Sequence, residues 1–580
     1  MSGSLAESLV SLLSEMKTLL ELNGENPFKI RAFAKAADAI VAAGDAEDWQ
    51  LRAEEGRLTE IPGIGKGISQ VLVDFMIGKQ TDARDELERS LPLGLTELVK
   101  VPGLGSKKAI QVIEELDIHS LAELEYACIE NRLLKLKGFG VKAQDRILEG
   151  VRFLLQTSGH LKLSDALSLS ESLIAVLRLL AEDVMSKEKS GGPGALPRVS
   201  ETGALRRRLE TLSELDYLVE IPEKAEPHEF ESHFRSRWSE ELGKLNEKTA
   251  EKIPLPVRLS FARESRFGTL LAQSTATQES WAALEKLAFK KDSSEPQPSQ
   301  IVASTEELFF EKLSLPWISP EMRETGEEVG IAKAGKLGSI LGWNDLQGCF
   351  HNHTTRSDGV ATLEEMVLAA KARGMKYIGI SDHSKSAFYA QGLLEDALTA
   401  QQNEIRVLQD KHPEIKIFFG IESDILADGS LDYEDAVLKK FDFVIASVHS
   451  RFQMDRTTMT ERILQAVRNP RTTMLGHLTG RILLGRKGYD LEIERIIREC
   501  GSRGVGIEIN GNPARLDIDW RWGPELRREN VMVSVNPDAH DTSGLDDIKY
   551  GVCVARKALL PREQVLNTRN TTDVEKWLAR

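Results

Sequence analysis

From residue 347 onward the chain repeats one arrangement: a short apolar run that closes on a polar or ionisable side chain, followed in most cases by a helical stretch. The runs finish at CFHNH (349–353), YIGISDH (377–383), IFFGIE (417–422), FVIASVH (443–449), MLGH (474–477), VGIEIN (505–510) and VMVSVNPDAH (531–540). Seven such units with helical crossovers imply a parallel βα barrel, in which the C-terminal strand ends converge on one face. The residues that close the runs would meet there.

That convergence would gather His351, His353, His383, Glu422, His449, His477, Asp538 and His540, and the loop after the first run adds Asp358. A single histidine at a strand end is more often a packed core or surface residue. Here six of the seven C-terminal histidines close β units beside acids, which turns the reading to metal binding. The seventh, His412 in KHPEIK, is expected to face solvent. The set is too large for one ion, so several are expected, and imidazoles mixed with carboxylates suit Zn²⁺, Mn²⁺ or Fe better than Mg²⁺. Such sites generate hydroxide near neutral pH and clamp both oxygens of a phosphoryl transfer, so phosphate-ester hydrolysis is the expected reaction. Arg451, Arg481 and Arg515 lie just past strand ends, where they could hold a substrate phosphate or make surface ion pairs.

The same motifs, in order, resemble the polymerase-and-histidinol-phosphatase (PHP) metallophosphoesterase family, whose H-x-H, S-D-H, G-x-E, strand-end H, G-H and D-A-H stand here as HNH, SDH, GIE, SVH, GH and PDAH. The resemblance implies a distorted seven-stranded barrel with up to three ions, Mn²⁺ or Zn²⁺, on His351, His353, Asp358, His383, Glu422, His449, His477, Asp538 and His540. Glu422 would bridge two of them, and Asp382 would orient a ligand from behind. Glu422, His351, His353 and Arg451 are the expected catalytic residues.

Residues 1–160 read differently, as short helices separated by Gly-containing loops. A unit recurs at Leu58–Lys66, Leu98–Ser106 and Leu133–Val141: an apolar lead-in, Gly-apolar-Gly, then a fresh helix. With 75 basic against 90 acidic residues the chain carries a net charge of −15, which argues against nucleic-acid binding through bulk charge. Local features must carry it. A tight loop ending at a helix N-terminus presents backbone N–H groups to a phosphate, and Gly63, Gly65, Gly103, Gly105, Gly138 and Gly140 would allow close approach, with Lys66 and Lys107 beside them. The competing account is plain helix packing with glycine caps. Four scattered cysteines, no apolar stretch of membrane length and an acidic rather than basic start lead us to expect a cytoplasmic protein without a membrane partner.

The Gly-x-Gly units resemble helix-hairpin-helix motifs. With the segment Asn26–Ala37 they resemble the amino-terminal and fingers regions of family X DNA polymerases, and joined to the PHP region they resemble the bacterial members that carry a C-terminal PHP exonuclease. The resemblance implies a helical 5′-phosphate-binding domain at 1–82, fingers at 83–160, an α+β nucleotidyltransferase palm at 161–262, a thumb at 263–335 and the PHP barrel at 341–580. Lys35 and Lys66 are its candidates for a 5′-phosphate, whereas the position of the lyase lysine falls on Val71. The implied partner is gapped or nicked duplex DNA with its 3′ ends, bound by a monomer.

The palm departs from the family. The nucleotidyl-transfer signature reads Gly203-Ala-Leu-Arg206-Arg207-Arg-Leu-Glu210-Thr211-Leu-Ser-Glu214-Leu-Asp216. Ala204 replaces the phosphate-binding Ser, Glu214 the first metal Asp, and Arg258, in the expected strand VRLSF (257–261), the third carboxylate. Arg207 and Asp216 are retained, and the thumb turn Thr-Gly-Ser becomes Thr275-Ala-Thr277. Read alone, RRRLETLSELD is equally a solvated charged face. The leading expectation is a DNA-repair protein whose barrel acts as a 3′→5′ exonuclease or 3′-end processor and whose palm has lost most polymerase activity. The alternatives are a gap-filling polymerase using Mg²⁺ in the palm, a non-enzymatic DNA-end scaffold, and a phosphatase of small phosphomonoesters.

Overall fold

The computed structural model describes residues 5–44, 48–77, 84, 87, 89–156, 159–188, 197–248, 253–290 and 297–579. The junctions expected at 186–200 and 291–300 fall in large part outside them. The chain divides into two compact units, residues 1–124 with 136–151, and residues 125–135 with 152–580.

The first unit is helical. Leu9, Leu13 and Leu20 of the helix Leu5–Leu22 recur at helical spacing and are buried with Ala36 and Ile40 of Pro27–Ala43. The second helix starts where its sequence says it should, with Pro27 at the first position and the Asn26 side chain accepting a hydrogen bond from the Phe28 amide at 2.9 Å. The three Gly-x-Gly loops share one backbone. Gly63, Gly103 and Gly138 have φ of 105°, 88° and 91°, a region that disfavours side chains. Gly65 and Gly105 are then the N-caps of Lys66–Met76 and Ser106–Leu116, and Val141–Gln156 follows the third loop.

In the second unit, β1 (Leu161–Lys162) precedes the long helix Leu163–Glu188, after which come β2 (Val199–Glu201), β3 (Thr211–Leu212), β4 (Leu215–Ile221) and β5 (Val257–Arg263). β1 pairs with β3, while β2, β4 and β5 form a sheet in that order, β2 antiparallel and β5 parallel to β4. The helix Pro227–Lys248 makes the β4–β5 crossover and buries Phe230 and Phe234 completely. Helices between Phe267 and Lys333 bury Phe309 and Phe310 among aliphatic residues.

The remainder is the barrel. β6 (Gly348–Cys349), β7 (Tyr377–Ile380), β8 (Lys416–Asp424), β9 (Phe443–Ser447), β10 (Met474–Leu475), β11 (Gly506–Asn510) and β12 (Val533–Asn536) form one parallel sheet in sequential order. A parallel bridge from Asn352 to Ala539 joins the first strand's continuation to the last, which nearly closes the barrel. Its interior is aromatic: the rings of Phe350 and Phe443 meet edge-on at 5.0 Å. Gly379 and Gly420 make room for Phe443, since a Cβ at either would lie 2.8 or 2.2 Å from its ring. The expected architecture, helical hairpins followed by an α+β palm-like sheet and a seven-stranded barrel, is the one observed. His412 departs from expectation: it caps the helix Glu395–Lys411 and is only 8% exposed, with its ring between Glu364 of the helix Leu363–Ala372 at 3.6 Å and Glu414 at 3.9 Å.

Candidate metal centre

The strand ends deliver their side chains to one place. His351 and His353 follow β6, His383 follows β7, Glu422 and Asp424 lie on β8, His449 follows β9, His477 follows β10, Glu508 lies on β11, and Asp538 and His540 follow β12. His351, His477 and Asp538 have φ of 56°, 23° and 54°. Left-handed backbone costs a non-glycine residue on the order of 1–2 kcal/mol, and here it turns three side chains inward at the exits of the strands.

Glu422 is the hub. Its Oε1 lies 3.0 Å from His477 Nε2, 3.2 Å from His351 Nε2 and 3.2 Å from His449 Nε2, and its Oε2 lies 3.0 Å from His383 Nδ1 and 3.7 Å from His353 Nε2. Asp538 Oδ1 stands 3.3 Å from His353 Nε2 and 3.5 Å from His351 Nε2. Asp358 Oδ2 stands 3.3 Å from His383 Nε2 and 3.5 Å from His540 Nε2.

These separations are the edges of a coordination shell. Ligand atoms held about 2.1 Å from a tetrahedral ion sit about 3.4 Å from one another. Four ligand groups result: His353, Asp358, His383 and His540; His351, His353 and Asp538; His351, Glu422 and His477; and His383, Asp424 and His449. His351 Nε2, both His353 nitrogens, Asp358 Oδ2, Glu422 Oε2 and His540 Nε2 are buried without a hydrogen bond, which a folded interior tolerates poorly unless a cation completes the site. The donor set therefore fits metal ions. Burial alone would raise the pKa of Asp358, Glu422 and Asp538, but the facing imidazoles, His383 for the first, His449 for the second and His351 for the third, hold all three well below the ordinary carboxylate range.

Two carboxylates not singled out in the sequence support this set from behind. Glu508 Oε1 accepts from His351 Nδ1 at 2.6 Å, and its Oε2 accepts the His477 amide at 2.8 Å. Asp424 Oδ1 accepts from His449 Nδ1 at 2.7 Å. Each bond places the ring proton on Nδ1 and leaves Nε2 unprotonated, its lone pair directed to where a metal ion beside Glu422 would sit. A signal existed for both, since a strand's period of two puts Asp424 on the face of Glu422 and Glu508 on the face of Asn510. Asp382 braces the loop rather than a ligand: it accepts from the Thr354 amide and hydroxyl, both at 2.8 Å.

The arginines divide. Arg515 reaches the cluster, 3.7 Å from Asp538 Oδ2. Arg481 Nε donates to the Arg515 carbonyl at 2.8 Å and also bonds Asp519, bracing a loop. Arg451 is exposed and does not line the cavity above the cluster. In the first unit, Lys35, Lys66 and Lys107 are exposed, as are Gly63, Gly65, Gly103, Gly105, Gly138 and Gly140. A groove of about 960 Å³ there is lined by Asn26, Lys29, Gly63, Gly65, Gly67 and Val71.

In the palm, β4 and β5 pair Asp216 with Arg258, whose Nη2 lies 2.6 Å from Glu214 Oε2. Ala204 packs partly buried in the helix Gly203–Arg206. Arg207 Nη1 donates to the Thr275 carbonyl at 2.7 Å, and its Nε lies 3.2 Å from Glu324.

A buried His/carboxylate cluster at the C-terminal end of a seven-stranded parallel barrel, in a chain that begins with Gly-x-Gly helical hairpins, defines a metal-dependent phosphoesterase barrel joined to DNA-binding modules. Comparison with known proteins agrees: residues 350–512 match the PHP domain, residues 6–80 a helix-hairpin-helix domain and residues 95–152 a SAM-like helix-hairpin-helix tandem. The chain is 30% identical to the DNA polymerase/3′-5′ exonuclease PolX of Bacillus subtilis (strain 168) over 99% of both sequences. It belongs to that family, the bacterial family X DNA polymerases with a PHP domain. A probable phosphatase of Thermoanaerobacter sp. (strain X514) is 27% identical over 38% of the chain and 89% of its own length. Among solved structures, histidinol phosphate phosphatase from Lactococcus lactis subsp. lactis Il1403, complexed with zinc, L-histidinol and phosphate, overlaps 37% of the chain and 93% of its own at 21% identity and a TM-score of 0.31. Among the described residues no helix is long and apolar enough to cross a membrane.

Proposed function

We propose that this protein is a DNA-repair nuclease: its barrel hydrolyses phosphodiesters from 3′ ends of gapped or nicked duplex, and its palm extends primers weakly or not at all. The observation that carries the hydrolytic reading is the hub at Glu422, one carboxylate facing five imidazoles within 3.7 Å. Mn²⁺ or Zn²⁺ ions, up to three, would be held by His351, His353, Asp358, His383, Glu422, His449, His477, Asp538 and His540, and would supply activated water and charge neutralisation at the phosphate. The chain's own part is orientation and exclusion of solvent. Glu508 and Asp424 fix the tautomers of His351 and His449, Asp382 holds the loop that carries Asp358, and Arg515 brings a fixed cation to the phosphate's side of the cluster.

The reading of the palm rests on charge. Two-metal nucleotide transfer needs acids around the primer 3′-hydroxyl, and Arg258 puts a cation beside Glu214 and Asp216 instead. Glu264, the nearest acid along that strand, follows Arg263, which pairs with Ile221, five positions beyond Asp216 and so about 16 Å away. Arg207 is also engaged, by Thr275 and Glu324. For DNA, the support is the exposed loops with Lys66 and Lys107 at helix starts and the groove at Asn26–Gly67, where Lys29, rather than Lys35, and the loop glycines would meet a 5′-phosphate. Val71 lines that groove without an amine.

End-labelled gapped DNA incubated with the protein and Mn²⁺, with and without dNTPs, tests the whole. Shortening from the 3′ end in both arms is expected. Extension with dNTPs identifies a working palm, and binding without change identifies a scaffold.

A further inference from the structure

Residues 125–135 belong to the barrel's unit, although the tandem hairpin match that contains them, 95–152, lies far earlier in the chain. Glu125 anchors the segment, accepting from Lys162 Nζ at 2.6 Å and Arg152 Nε at 3.2 Å. The next residue, Tyr126, is 2% exposed and reaches Asp538, a residue 412 positions away: its hydroxyl lies 3.4 Å from Oδ2. Arg515 Nε donates to the same hydroxyl at 2.9 Å, with the guanidinium 4.6 Å over the ring. Glu130 Oε1 stands 3.8 Å from His540 Nε2.

With Arg132, these side chains roof the cluster. The cavity between roof and cluster measures about 20 Å³, enough for one water and too small for a phosphodiester with its sugars. The arginine that would serve a phosphate is held by a neutral phenol.

We infer that residues 125–135 form a gate over the metal centre, latched by Tyr126 on Arg515 and Asp538, and that duplex DNA bound by the tandem hairpins opens it and frees Arg515 for the scissile phosphate. The inference rests on the hydrolytic reading of the cluster. It makes Tyr126 a residue that decides which substrates reach the centre: a small diester, with no means of engaging the hairpins, meets a closed roof. The coupling is covalent, because the chain on both sides of the segment, at Leu124 and Leu136, continues into the hairpin unit.

The test uses the full-length Mn²⁺-loaded protein and the variants Tyr126→Ala and Tyr126→Phe. The first readout is the rate at which EDTA withdraws the metal. Losing one hydrogen bond to a charged group should speed withdrawal about tenfold in Tyr126→Phe, and more in Tyr126→Ala, at unchanged metal stoichiometry. Gapped duplex should speed withdrawal from the wild type and add little in Tyr126→Ala. The second readout is hydrolysis of bis(p-nitrophenyl) phosphate without DNA, which should rise in parallel. Equal withdrawal rates in wild type and in both variants, or no effect of duplex on the wild type, overturns the gate. Faster withdrawal with no diester hydrolysis by any form keeps the gate and removes the phosphoesterase reading. Hydrolysis with unchanged withdrawal does the reverse.

Discussion

Arg258 Nη2 lies 2.6 Å from Glu214 Oε2, so the strand that should bring a third acid to the palm brings the counter-charge of the first. The pair is solvent-exposed, with Arg258 at 67%, and contributes little to stability. On the proposed reading of the palm, its effect is on ion binding. In a Glu422→Ala background, where the barrel's nuclease cannot erase products, primer extension with Mg²⁺ or Mn²⁺ should be undetectable or at least about 10²-fold below that of a palm with three acids. Robust templated extension would return the polymerase reading.

Glu422→Ala itself should abolish hydrolysis and lower the bound-metal count. The substitution removes the one carboxylate that His351, His353, His383, His449 and His477 share, and leaves cations there unshielded from each other. Elemental analysis of the purified variant beside an exonuclease assay decides it, and wild-type values in either would place the site elsewhere.

Glu508→Gln keeps the shape of a residue that touches no substrate, yet it weakens the acceptor that fixes His351 Nδ1. Metal affinity should fall about 10- to 100-fold. Titration with Mn²⁺ measures it, with an unchanged far-ultraviolet spectrum showing that the barrel is intact.

Gly105 has ordinary φ and nothing within 4 Å of a Cβ built on it, so Gly105→Phe adds bulk at the loop without disturbing the fold. It should weaken duplex affinity while leaving the salt dependence unchanged, because backbone amides carry no net charge. Lys107→Ala should also weaken binding but, unlike Gly105→Phe, flatten the slope of log K against log salt by about 0.9. Identical effects of the two variants would mean that the loop does not contact phosphate.

Glu306 is 4% exposed and clamped by Arg206 Nη2 at 2.6 Å and Arg323 Nη1 at 2.6 Å. Burial works against its charge, but the two guanidiniums win and pull its pKa from 4.5 down to about 2. A depressed carboxylate contributes stability that is complete above the unfolded value and is lost as pH falls through the folded one, so the window runs from 4.5 to about 2. Glu306→Gln should cost about 3 kcal/mol in urea unfolding at pH 7. The gap to wild type should narrow as pH drops toward 3, and a gap independent of pH would show that the charge is not the source.

The barrel and the convergence of its strand-end histidines and acids were legible in the sequence because strand period and strand-end chemistry repeat seven times between CFHNH and PDAH. What was not legible is whatever depends on contacts distant in sequence. Tyr126 looked like an ordinary helix residue, and no local pattern ties it to Asp538. Glu508 sat inside a run already explained by its apolar neighbours, and Asp424 lay two residues past the end of another. His412 was misjudged because a polar KHP turn reads as surface, although its ring lies against Glu364 of a neighbouring helix. The palm was legible only as a departure from a signature, and the pairing of β4 with β5 gives that departure a physical meaning.

The bridge from Asn352 to Ala539 has a consequence for how the protein is made. His351 leaves the ribosome almost 190 residues before Asp538 and His540, and parallel pairings of such separation form late. A nascent chain carrying only the first strands would display HNH and SDH as loose, partial chelators, open to any divalent ion at hand. On the proposed reading, the ions held at the centre would be chosen only after synthesis of the last strand, by the metal pool the finished chain meets.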